Sequence, residues 1–213
     1  AVIANLAIAM GRQTSVNLNY TAPPELIAAA EKQSGLACII SSRAFMERFP
    51  GIQPAAEVLW IEDLLRPPHW TEKLAFLIQA RCLPLRWLGL YDHREADPVA
   101  TILFSSGSTA EPKGVPLSHH NLLANIHSFR SVLKPRPDDV MLATLPLFHS
   151  FGYTATCWFP LLSGLSIASH HNPLEAERIG ELAEHYRGSL LLTTPSFLVA
   201  YSRKIKPEQF AHL

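Results

Sequence analysis

The chain has 213 residues, 48% of them hydrophobic and 17% charged, with 18 basic side chains balancing 18 acidic ones. That length supports one large domain or a two-lobed one, and a charge content below the roughly 25% of an average soluble domain keeps much of the chain away from water. Without net charge there is no positive field to draw in phosphate backbones, which sets nucleic acid aside as a partner.

Cys38, Cys82 and Cys157 are far apart, lack CxxC spacing and sit in apolar neighbourhoods. They read as reduced, buried thiols of a cytoplasmic protein. The opening stretch "AVIANLAIAMG" has neither the basic region nor the cleavage site of a signal peptide. We read it as a cut through a larger protein, leaving a helix whose apolar face runs through Ile3, Leu6 and Met10.

Short apolar runs alternate with helical ones, the pattern of parallel strands joined by crossover helices. "TAPPELIAAAEKQSG" predicts a helix begun by prolines and closed by Gly35, followed by the strand "LACII" and capping serines Ser41 and Ser42. Between Pro50 and Pro98 the pattern is weaker. "EVLWIEDLL" fits a strand or a helix start, "WTEKLAFLIQARCL" presents Leu74, Ile78 and Cys82 on one helical face, and "YDHREADP" reads as an exposed linker.

From Val99 the elements are clearer. Ala100 to Phe104 is a buried strand, a polar loop follows, and after the run "GVPL" Ser118 caps a helix with Leu122, Ile126, Phe129 and Leu133 on one stripe. "VMLATL" is a further buried strand. Asn172, Pro173 and Glu175 form a capping-box arrangement for a helix with Ile179, Leu182, Ala183 and Tyr186 inward, ended by Gly188 and followed by the strand "SLLLT". The charge-free stretch from Val140 to Leu174 is long enough for a membrane span, but Pro146, His149, Gly152, Pro160 and Gly164 interrupt it, and a buried strand, loop and helix fit better. The expected fold is therefore α/β, with mainly parallel sheets flanked by helices, in two portions, 1–98 and 99–213. At least one bare sheet edge is expected, through which two copies would pair.

The loop "FSSGSTAEPKG" carries four hydroxyls, two glycines and Lys113, and no large apolar side chain between Ser105 and Pro112. Accessible backbone N–H groups, hydroxyls and one cation make a polyphosphate cradle. On composition alone, a serine-rich turn without a ligand is the alternative. The Walker pattern does not fit, because Pro112 stands at its second glycine and a strand, not a helix, follows.

The run Ser105 to Gly114 resembles the adenylate-forming superfamily of acyl-CoA synthetases, luciferases and peptide-synthetase adenylation domains, whose signature reads [ST]-S-G-[ST]-T-G-x-P-K-G. Ala110 replaces the usual glycine. "LPLFHSFG" resembles the superfamily's histidine loop and places His149 there. With "NLNYTAPPE", "SSRAF", "LSHHN" and "TTPSFL", the chain is similar to the acyl-acyl carrier protein synthetase half of the 2-acylglycerophosphoethanolamine acyltransferase family.

The resemblance implies an incomplete part of that family's N-terminal domain. It implies ATP and magnesium as cofactors, with Ser105, Ser106, Gly107, Ser108, Thr109, Lys113 and Gly114 around the phosphates and His149 as an orienting group. Phe151, Gly152, Tyr153, Trp158 and Phe197 are expected along an acyl pocket. The implied substrates are a long-chain fatty acid and the thiol of acyl carrier protein or coenzyme A, in a parent enzyme at the inner face of the bacterial inner membrane. The family's magnesium-binding glutamate motif does not occur here, so the piece alone is expected to make no acyl-adenylate. A non-catalytic nucleotide- or acyl-binding module is the alternative.

Other chemistries are excluded by pattern. There is no GxSxG elbow for a serine hydrolase. The pairs His119–His120 and His170–His171 do not converge on one face as metal ligands must. The acyltransferase spacing H-x-x-x-x-D is missing, His93 and Asp97 being too close together.

Overall fold

The computed structural model describes residues 1–82, 97–105 and 112–213. Helix α1 (Val2–Met10) leads into the short strand β1 (Ser15–Val16). The expected helix forms, but with a different face: Ile3, Leu6 and Met10 are exposed, while Asn5 is buried. Asn5 and Asn17 exchange amide hydrogen bonds of 3.0 Å, so a polar side chain is buried without an orphaned group.

Helix α2 (Pro24–Ser34) starts on Pro23 and Pro24 and stops at Gly35, whose φ of 59° closes the helix with its N–H on the carbonyls of Glu31 and Lys32. Glu31 is buried and accepts the N–H groups of Ala55 and Ala56 at 2.8 and 2.6 Å, which ties a later loop to the helix. Strand β2 (Cys38–Ser41) and strand β3 (Glu57–Trp60) pair in parallel. Between them lies α3 (Arg43–Arg48), capped by Ser42, which accepts from the Phe45 N–H; Ser41 remains in the strand. "EVLWIEDLL" is both things in turn, β3 and then the short α4 (Ile61–Leu64).

Helix α5 (Trp70–Cys82) has the expected stripe, yet Leu74, Ile78 and Cys82 remain exposed. Cys38 is exposed too, so only Cys157 is the buried thiol expected of all three. Most of the linker "YDHREADP" falls outside the described residues.

Strand β4 (Val99–Ser105) turns back antiparallel as β5 (Lys113–Ser118), with β1 parallel on its other edge. The first and second sequence portions thus share a sheet. Helix α6 (His119–Leu133) opens on a full capping box, the Ser118 hydroxyl accepting the Asn121 N–H and the Asn121 side chain accepting the Ser118 N–H. Its buried face is the expected one, Leu122 and Ile126 with Phe129 and Leu133 packed beside them.

Strand β6 (Val140–Ala143) pairs in parallel with β7 (Ser166–Ser169). The "SLLLT" segment contributes a single parallel bridge, Met141 to Leu190, rather than a full strand. Between β6 and β7 a buried π-helical turn, Gly152–Trp158, runs directly into α7 (Phe159–Ser163). No described helix is long and apolar enough to cross a membrane.

Helix α8 (Ala176–Tyr186) begins after the expected cap. Asn172 accepts the Leu174 N–H and donates to Glu175, which closes a local turn, and Glu175 becomes the residue before the first helical one. Ile179 and Ala183 face inward, but Tyr186 is exposed, and Arg187 rather than Gly188 takes the left-handed terminal conformation. Gly188 is instead pressed against Leu142, where an added Cβ would come within 2.4 Å of that side chain. Helix α9 (Pro195–Lys204) and a 3-10 turn, Pro207–Phe210, close the chain. The fold is α/β: three ladders among the described residues are parallel and one is antiparallel.

Candidate functional site

The expected site residues fall on two segments that follow strand ends. The first is the β4–β5 hairpin. Its ladder ends with Ser105 opposite Lys113 and Phe104 opposite Gly114, so the hydroxyl and the lysine stand together at the end of the hairpin that leads into its connecting loop. Ser105 and Lys113 are exposed, and among the described residues no carboxylate pairs with Lys113. Gly114 is fitted closely: a Cβ there would lie 3.1 Å from both Ile102 and the Phe104 ring. The remaining expected phosphate contacts, Ser106, Gly107, Ser108 and Thr109, lie outside the described residues, as does Ala110.

The second segment is the loop after β6. The His149 N–H donates to Pro146 O at 3.2 Å, and His149 O accepts the Tyr153 N–H at 2.8 Å, so the loop folds back on itself before the π-helical turn. This closure requires glycine at 152. An added Cβ would sit 2.1 Å from Pro146 O and 2.9 Å from its carbonyl carbon, with Leu145 O at 3.1 Å. Phe148 is buried, packed edge-on to Tyr20 at 5.3 Å, and its ring lies 4.4 Å from the His149 ring. Partial burial against this aromatic group lowers the His149 pKa from its ordinary value, which favours the neutral imidazole.

The five expected pocket residues are distributed rather than gathered. Phe151 stands partly exposed two positions after His149. Tyr153 and Trp158 belong to the same buried cluster as Met141 and Phe159, and the Tyr153 hydroxyl is 3.0 Å from Ser15 Oγ. Phe197 packs with Tyr201, stacked at 6.3 Å, in a second cluster around Ile179. None of the five lines a cavity of about 690 Å3 whose wall includes Leu147 and Phe148.

Sequence reading singles out neither Thr144 nor Thr193, yet both carry buried hydroxyls without a well-formed hydrogen bond. Thr144 directly follows β6, and Thr193 lies three residues after the Leu190 bridge. The carboxyl ends of parallel strands are where open α/β sheets hold ligands. Both hydroxyls act on the Tyr201 phenol, whose pKa is raised by burial despite them. The signal was present in "LATLP" and "LLTTPS": a hydroxyl immediately after an apolar run.

Elsewhere, His170 Nε2 lies 2.8 Å from Glu175, whose pKa is lowered by its hydrogen bonds from Asn172 and then His170. Among the described residues no group of three or more His, Cys, Asp or Glu side chains is arranged to hold a metal ion. Lys113, with no carboxylate paired to it among the described residues and a hydroxyl opposite, fits a phosphate group.

4-coumarate-CoA ligase 1 of Narcissus pseudonarcissus is 26% identical over 193 residues, covering 87% of this chain and 34% of its own length. 4-coumarate--CoA ligase-like 8 of Arabidopsis thaliana is 29% identical over 147 residues, covering 68% of this chain and 26% of its own. This chain thus spans about a quarter to a third of these curated relatives.

In fold it matches the o-succinylbenzoate coenzyme A synthetase of Bacillus subtilis in complex with AMP. The TM-score is 0.74 at 17% identity, over 98% of this chain and 49% of that one. The same synthetase has been solved with ATP and a magnesium ion, at a TM-score of 0.72 and 18% identity over 98% of this chain and 40% of that one. The family described as AMP-binding enzyme matches residues 1–212, and the chain belongs to that family.

Proposed function

We propose that this chain is the ATP-gripping part of an adenylate-forming acid–thiol ligase. The observation that carries the reading is the β4–β5 hairpin, which holds Ser105 and Lys113 together at its loop end within an AMP-binding family chain. In the reaction, a carboxylate oxygen attacks the α-phosphorus of ATP and the bond to the β-phosphate oxygen breaks, giving an acyl-adenylate and pyrophosphate. A thiol then attacks the acyl carbon and AMP leaves. Lys113 and the hydroxyls compensate the charge gathering on the departing pyrophosphate. Magnesium, when bound, neutralises further phosphate charge. His149, neutral and fixed through its own backbone bonds, orients reactants beside this group.

The acyl donor in this reading is a long-chain fatty acid and the acceptor a phosphopantetheine thiol, on acyl carrier protein or coenzyme A. The parent enzyme works in the cytoplasm, at the inner face of the bacterial inner membrane, and feeds lysophospholipid acylation. The runs "SSRAF", "LSHHN" and "FHSFG" support it. The relatives' own names pair 4-coumarate with CoA, so an aromatic acid is the comparison substrate. Ala110, in place of the signature glycine, favours the second reading, a non-catalytic nucleotide- or acyl-binding module.

Calorimetric titration with MgATP and with the sulfamoyl analogues of palmitoyl- and coumaroyl-adenylate separates these. A charge-assisted contact contributes about 1.5–3 kcal/mol, so Lys113→Ala should weaken MgATP binding by roughly 10- to 150-fold. Affinity indifferent to Lys113 supports the module. Preference for the coumaroyl analogue removes the fatty-acid assignment while leaving the ligase intact.

A further inference from the structure

Helix α5 differs from the helices around it in how much of it meets water. Every described side chain from Trp70 to Cys82 is exposed except Glu72, which is half-buried. A 13-residue helix is marginal in water on its own and draws its stability from packing an apolar face. On α5 the apolar side chains are large, and Trp70, Leu74, Leu77 and Ile78 are 49–67% exposed.

These four share one side. At about 100° per residue they fall within an arc of about 100°, with Glu72 and Gln79 opposite. Arg81 falls inside that arc in the last turn, and Lys73 stands at its border. Among the described residues no carboxylate pairs with either cation. The acid of this helix, Glu72, is already engaged, by Arg66 at 2.8 Å and by the His69 N–H at 2.8 Å. Phe76 lies outside the arc, beyond Lys73.

We propose that this face of α5 docks in the plane of an anionic lipid bilayer. Trp70, Leu74, Leu77 and Ile78 enter the boundary between headgroups and acyl chains, and Lys73 and Arg81 bind lipid phosphates. With 13 residues, where a span needs about 20, the helix lies along the surface rather than crossing it. The charges select this occupant. A second copy of the arc would set cation against cation, with no acid on the arc to meet them and Arg81 taken out of water. At a bilayer the long lysine and arginine stems follow the apolar side chains inward while their charged ends reach back to phosphate. Tryptophan is likewise favoured at that boundary. The proposal deepens the membrane-face location given above. Vesicle binding is read without nucleotide, so its failure leaves the ligase reading standing, and failure of MgATP binding leaves this one standing.

The test floats the whole 213-residue chain with vesicles of phosphatidylcholine alone, or of equal parts phosphatidylcholine and phosphatidylglycerol. One basic residue at an anionic surface is worth about fivefold, so Lys73 and Arg81 together should make binding to the mixed vesicles about 25-fold tighter. Lys73→Gln combined with Arg81→Gln should remove most of that ratio. Leu77→Glu should weaken binding about tenfold or more, while Gln79→Glu, the same added charge on the opposite side, should change it about twofold or less. Absence of binding to mixed vesicles, binding indifferent to phosphatidylglycerol, or Leu77→Glu binding as well as Gln79→Glu overturns the proposal. A doubled mass without lipid that Leu77→Glu returns to the single mass also overturns it, since a second copy would then be the occupant.

Discussion

Gly152→Ala tests how the histidine loop is held. The added methyl would lie 2.1 Å from Pro146 O, where ordinary carbon–oxygen contacts are about 3.3 Å or longer. The loop must therefore open by about 1 Å, and the obstructing atoms are backbone, so no rotamer change relieves them. Opening it also stretches the 2.8 Å bond from the Tyr153 N–H to His149 O. Overpacking of a tight site costs about 1–3 kcal/mol, and this case belongs at the upper end. At about 3 kcal/mol the folded-to-unfolded ratio falls roughly 150-fold.

Urea unfolding followed by tryptophan fluorescence reads this directly, since Trp158 is buried in the adjoining turn. Gly51→Ala is the control, because a Cβ there meets only a proline ring carbon at 3.8 Å. A Gly152→Ala midpoint matching that control, with an unchanged slope, would refute the idea that this close approach shapes the loop.

Two further outcomes follow from burial. Native protein treated with a thiol reagent at pH 8 should modify Cys38 and Cys82 quickly and spare Cys157, whose thiol is buried and pushed up to about 11. Three equally fast cysteines would contradict the packing of the π-helical turn. For His149, burial disfavours the imidazolium in the folded chain, so the unfolded chain takes up its proton first as pH falls. Its contribution to stability should be constant above the ordinary value near 6.5 and decline below it, down to the lowered folded pKa. NMR titration of the ring should give a midpoint under 6.5, and His149→Gln should remove that part of the pH dependence. A midpoint at or above the ordinary value would contradict it.

Much of the fold could be read where the signal is local. The prolines and Gly35 of α2, and Ser118 with the stripe behind it, act within a few residues of themselves, and the structure repeats them. What misled was decided at a distance. The inward face of α1 depends on Asn17, twelve residues from Asn5, so the apolar residues Ile3, Leu6 and Met10 lost to a polar pair. The start of α8 moved because Asn172 spent its side chain on a turn. At the candidate site, the Ser105–Lys113 pairing follows from strand, loop and strand in sequence. The separation of Phe197 from Tyr153 and Trp158 comes from packing between clusters, and Thr144 and Thr193 become visible as buried hydroxyls beside the Tyr201 phenol only when their surroundings are known.

Covalent labelling with an acyl phosphate of ATP, which transfers its acyl group to a lysine beside the terminal phosphates, tests the nucleotide grip most directly. The account predicts that peptide mapping finds the label on Lys113, suppressed by excess MgATP and absent when nucleotide is replaced by adenosine. Labelling that falls on other lysines, or that excess MgATP leaves unchanged, would contradict it.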